Sequence, residues 1–169
     1  MTTIDDTINQ WLRDAHAMEE QAEQMLESQS SRIENYPELA ARIKRHLEET
    51  QSQLERLERC LERRGAATSA MKDLTAKASA MMQGLSSMMA GDEVMKGALA
   101  SYAFEQFEIA SYRILITAAE TAGDIETARL CEEICREEEA MAADLADMIP
   151  ELTRSYLTRE NADLDEAKR

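Results

Sequence analysis

Residues 104–146, FEQFEIASYRILITAAETAGDIETARLCEEICREEEAMAADLA, carry two helical patterns back to back and decide how the chain folds. In the first, Glu105, Ile109, Tyr112 and Ile116 continue a stripe begun by Ala98 and Tyr102, at the spacing one helix face requires. In the second, Cys131, Cys135, Glu138, Met141, Ala142 and Leu145 form a similar stripe. Between them Gly123 suits the end of one helix and Asp124 the start of the next. The pattern predicts a third helix from about Asp92, a good N-cap, to Ala122, and a fourth from about Asp124 to Met148, ended by Pro150. Both stripes contain an acid where an apolar residue is expected: Glu105 is central in the first, with Glu108 on its flank, and Glu138 is equally central in the second.

Upstream, Ile4, Ile8, Trp11, Ala15, Met18, Ala22, Met25 and Leu26 keep the same spacing and predict a helix from about Ile4 to Gln29, with Glu19 at its inward edge. After Asn35-Tyr36-Pro37, where proline suits a first helical turn, Ile43, Leu47, Thr50, Leu54, Leu57 and Leu61 predict a second helix ending near Gly65. Glu49 lies to one side of that seam, and His46 and Gln53 lie nearer it. Residues 66–91, rich in Ala, Ser and Met, read as a crossover containing one short helix. Residues 1–150 are therefore expected to form the bundle domain and residues 151–169 a charged C-terminal tail. Two helix pairs with short reversals, joined by one long connection, describe an all-α fold, the ferritin-like variant of the four-helix bundle.

Composition sets limits on function. The 169 residues include only five Gly and two Pro, enough chain for one core with few turn signals. A net charge of −15 repels phosphate backbones and anionic lipid surfaces, which argues against nucleic acid and membrane partners. The first residues, MTTIDDTINQW, lack the basic and apolar regions of a leader, and no later window is apolar enough to cross a bilayer, so a cytoplasmic protein is expected. Cys60, Cys131 and Cys135 have neither a disulfide-framework nor a zinc spacing and read as core thiols.

At about 1.5 Å per residue, Glu19 comes level with Glu49 across the first helix pair, and Glu105 and Glu108 with Glu138 across the second, all near mid-bundle. Ionised carboxylates are seldom buried without a positive partner, and these stripes hold few Lys or Arg, so a bound metal is the leading explanation. The bland alternative is a solvated acid on an acidic helix, which is the reading for Glu20, Glu23, Glu55, Glu58, Glu132 and Glu133. A carboxylate-rich donor set suits iron(II), manganese(II) or magnesium, with Glu19, Glu49, Glu105 and Glu138 as ligands and Glu108 free to rotate in. His46 is open between ligand and hydrogen-bonding residue, and His16 is expected at the side of the bundle. Tyr102 and Tyr112 face the same region, first of all as packing residues with a buried hydroxyl partner. The eleven methionines read as core filling. The third helix is apolar on its other face too, through Phe104, Phe107, Ile114, Leu115 and Ala118, which calls for a cover from the crossover or a second copy and predicts a homodimer.

Four segments resemble the YciE/YciF family of ferritin-like proteins, with YciE as the nearer expected kin: WLRDAHAMEEQAE, YPELAARIKRHLEETQSQLERL, FEQFEIASY and EEICREEEAMAADL. The resemblance implies a ferritin-like core, a dimer, a link to stress response, and metal ligands at Glu19, Glu49, Glu105, Glu108 and Glu138. Two departures from the wider superfamily limit the chemistry: the second helix has Ser52, not His, three residues after Glu49, and Met141 stands three after Glu138. The wider superfamily implies a di-iron carboxylate site; these departures count against its full chemistry and favour a carboxylate-rich site with at most one His. Two functions remain open: an oxidoreductase that reduces oxygen or peroxide with iron, and a non-enzymatic helical dimer with a structural or vestigial metal site that acts through a protein partner. Iron storage in a cage and DNA protection are disfavoured by the lack of a basic arm.

Overall fold

A computed structural model describes residues 2–66 and 93–162. Among these the chain forms four helices and no strand: α1 (Ile4–Ser30), α2 (Pro37–Arg63), α3 (Glu93–Ala122) and α4 (Ile125–Asn161). The all-α four-helix bundle is therefore observed. The expected crossover helix and the Asp92 cap lie outside the described residues.

Local chemistry sets the helix ends. Thr3 caps α1 in a reciprocal box: its hydroxyl accepts from the Asp6 amide at 3.0 Å, and the Asp6 carboxylate accepts from the Thr3 amide at 2.9 Å. The ends of α2 and α3 share one device. Gly65 (φ +65°) and Gly123 (φ +74°) take the left-handed conformation. This lets Ala66 N donate to Leu61 O at 2.8 Å and Asp124 N to Ala119 O at 2.9 Å. Asp124 then caps α4 by accepting from Thr127 N at 3.1 Å. Burial opposes its charged form, but the Thr127 hydroxyl and amide, with Arg63 and Arg64, outweigh that and hold its carboxyl at about 2.

The fourth helix is longer than predicted: it continues through Pro150 to Asn161. Proline removes one amide donor and crowds the carbonyl four residues back. Here Pro150 and Ala146 are both exposed, so water can satisfy that carbonyl. Beyond it Leu152 is buried and Tyr156 packs on the core, while Arg159 lies 5.4 Å over the Tyr36 ring and donates to Asn35 O at 3.1 Å. The expected end at Met148 is thus overridden by tertiary contacts.

The apolar interior falls into two clusters. One gathers Ile8, Leu12, Leu57, Leu61, Phe104 and Ile134 toward the Gly65 and Gly123 turns; the other gathers Leu26, Tyr36, Leu39, Ile43, Leu145 and Leu152 toward the α1–α2 turn. Cys60, Cys131 and Cys135 are buried free thiols, as expected, and burial pushes Cys131 up to about 12. No helix among the described residues is long and apolar enough to cross a membrane.

Candidate metal centre

Where the two apolar clusters meet, the interior turns polar. His46 from α2, Glu105 and Glu108 from α3 and Glu138 from α4 each offer a ligand atom, and these atoms all lie within 4.8 Å of one another. All four side chains are sealed from solvent, at no more than 1% exposure. Glu19 of α1 is also buried and accepts a hydrogen bond from the Tyr112 hydroxyl. Among the described residues, Glu19 Oε2 and both oxygens of Glu108 have no partner, and Glu105 Oε2 and Glu138 Oε2 have only the Nε2 of His46.

Among the described residues, His46 is the one cationic group at the centre of this cluster. Its Nε2 lies 3.3 Å from Glu105 Oε2 and 3.2 Å from Glu138 Oε2, and its Nδ1 lies 2.9 Å from Glu49 Oε2. A single Nε2 proton cannot serve both inner carboxylates. Burial disfavours the imidazolium, but the three acids around it prevail and raise His46 to about 12. Burial likewise lifts Glu138 to about 7, against the pull of His46 and with the push of Glu105. Glu19 and Glu108 are driven well above the ordinary carboxylate range, by burial first and then by repulsion from neighbouring acids. The charges of the described residues therefore leave the site short of positive charge.

The structure brings Glu105, Glu108 and Glu138 together, with Glu19 beside them and outside the convergent set. Glu49 stands apart. Its side chain is 31% exposed and bonds the outer nitrogen of His46 and Arg42, at 3.2 Å from Arg42 Nη1. Arg42 itself is buried but turned outward to Glu49 and Asp144. Two further polar residues lie one and two turns after His46 on the same face of α2. Thr50 and Gln53 are fully buried, and each has a side-chain oxygen without a partner. Their signal was their place on or near the helix seam. His16 is buried against Glu58 at 3.3 Å, at the side of the bundle and away from this cluster. Glu20, Glu23, Glu55, Glu58, Glu132 and Glu133 all retain solvent contact.

Hard oxygen donors with one imidazole fit a divalent cation, and the orphaned oxygens supply the positions that such an ion satisfies. Fold and site together define a class, the four-helix bundle with a mid-bundle carboxylate and imidazole cluster. The chain belongs to the DUF892 family, described as a domain of unknown function, whose profile matches residues 3–158. It is 31% identical over 156 residues to Protein YciF of Escherichia coli (strain K12), spanning 88% of this chain and 91% of that protein. A solved protein from Xanthomonas campestris pv. campestris shares 41% identity at a TM-score of 0.80, over 94% of this chain and 99% of that one. The crystal structure of the E. coli stress protein YciF matches at 27% identity and a TM-score of 0.73, over 88% and 96%. The likeness found is to YciF, and nothing in these matches supports the expected nearer kinship with YciE.

Proposed function

We propose that the protein is a cytoplasmic stress-response metal protein whose buried cluster holds iron, best as a pair, and serves the reduction of oxygen or peroxide. The observation that carries this reading is a set of five buried carboxylate oxygens, three without a partner and two sharing the Nε2 of a single imidazole. His46 Nε2, Glu105, Glu108 and Glu138 would hold the metal, with Glu19 closing the site from α1. Glu49 would act one step out: by keeping a proton on Nδ1 it fixes the tautomer that turns the Nε2 lone pair inward. His46 must then give up its other proton, so metal binding releases protons. Bound iron would supply electrons to the oxidant, while the sealed interior limits escape of reactive products. The stress assignment draws on the matching E. coli structure, described as a stress protein.

A second reading also has an observation in its favour. The His46 ion pairs offset part of the acid charge without metal, as in a non-enzymatic helical dimer with a vestigial site acting through a protein partner. Metal analysis of protein purified without chelator, with thermal scans in iron(II) and manganese(II), separates the two. Bound metal and a raised Tm that is lost in Glu138→Ala support the metal centre. No metal and no shift with either ion would leave the structural reading.

A further inference from the structure

An ion destined for this cluster meets a closed wall, because every convergent ligand is buried. The helices meet unevenly, however, and of the neighbouring helix pairs α2 and α4 have the least close backbone approach, leaving their seam to be filled by long side chains. Along it, polar groups lead from solvent to the cluster in two steps. Glu137, with 33% of its side chain exposed, is ion-paired with Arg56 and also accepts from Gln53 Nε2 at 2.9 Å, and the same Nε2 donates to buried Glu138 Oε1. One helical turn away on α2, the half-exposed Glu49 contacts His46. Two partly exposed carboxylates, Glu137 paired with Arg56 and Glu49 paired with Arg42, therefore flank one fully buried amide.

Gln53 has an unusual balance for a buried side chain. Its amino group bridges an outer and an inner carboxylate, while its oxygen has no donor. A divalent cation can replace the amino group between those carboxylates and find the orphaned amide oxygen as a passing ligand. A leucine there would seal the path, and a glutamate would trap the ion. Toward Gly65 the seam is lined by four arginines, Arg56, Arg59, Arg63 and Arg129, against two acids, Glu126 and Glu133, so its net positive charge disfavours a cation and confines the opening to the stretch between Arg42 and Arg56.

We propose that divalent cations enter and leave the buried cluster through the α2–α4 seam, with Glu137 as the outer carboxylate and the Gln53 side chain as the gate. This rests on the metal-binding reading above. The test follows cobalt(II) absorbance by stopped flow at low salt, with affinity measured separately by equilibrium titration. Gln53→Ala should speed both association and dissociation by about tenfold and change affinity by less than about threefold. Glu137→Gln should slow association by roughly threefold, an effect that disappears in about 0.5 M salt. Glu139→Gln, which removes the same charge from the side of α4 that faces Arg113, should leave the rate unchanged. Unaltered rates in both Gln53→Ala and Glu137→Gln, with cobalt still bound, would overturn the gate and leave the metal centre standing. Weaker binding in Gln53→Ala without faster association would make Gln53 a ligand and overturn the gate as well. A wild-type protein that binds no cobalt at equilibrium would sink both proposals.

Discussion

At the scale of single residues, the site is governed by protons as much as by geometry. His46 is raised to about 12 and Glu138 to about 7, and Glu19 and Glu108 move the same way. The folded chain thus binds more protons than the unfolded chain above pH 4.5 for the carboxylates and above pH 6.5 for His46. Stability from these groups is complete below the unfolded values and is lost as pH rises through the folded ones. Metal-free protein should therefore lose Tm between about pH 5 and pH 8, and saturating metal should flatten or reverse the slope. Differential scanning calorimetry with and without manganese(II) checks this; a metal-free Tm that rises across that window would refute the proton accounting. Glu105 and Glu138 were legible from sequence because each is central on an apolar stripe. Glu49 was misleading: its level along the bundle is right, but its angle turns it to the outer face of His46.

At the scale of helices, capping chemistry was readable and the effect of Pro150 was not. Gly65, Gly123 and Asp124 act through their own backbone or nearest neighbours, so a local reading suffices. Whether a proline ends a helix depends on what lies beyond it. Here Leu152, Tyr156 and Arg159 have partners in the second core cluster and at the α1–α2 turn. Restoring the missing amide with Pro150→Ala should stabilise the protein by roughly 1–3 kcal/mol, measured by urea unfolding. A loss of stability would show that Pro150 shapes a bend on which those contacts depend.

At the scale of the whole molecule, the outer face of α3 is the feature most in need of explanation. Phe104 and Leu115, expected on that face, are buried in the core instead, whereas Leu99, Phe107 and Ile114 are 56%, 45% and 55% exposed, and Ile114 shares an apolar groove with Ile4 and Trp11 of α1. Packing against a second copy remains the proposal for this surface. Sedimentation at micromolar concentration should give about twice the 19.1 kDa chain mass, and Phe107→Glu should shift the protein toward monomer. A wild-type monomer would remove the dimer, and a particle of a dozen or more subunits would restore the storage reading.

The sequence by itself determined the all-α bundle, the starts of α1, α2 and α4 and most of the helix ends, and the presence of acids on buried stripes. All of these follow from periodicity and from caps that act over one turn. Only the tertiary structure decided which acids converge. It placed His46 between Glu105 and Glu138, moved Glu49 to the far nitrogen, set Gln53 between Glu137 and Glu138, and carried α4 past its proline. The physical reason is rotation. Periodicity gives each helix a face to within about one residue, or roughly 100° of turn, whereas a metal ligand and a residue beside it differ by less than that angle. The packing of four helices against one another settles that angle.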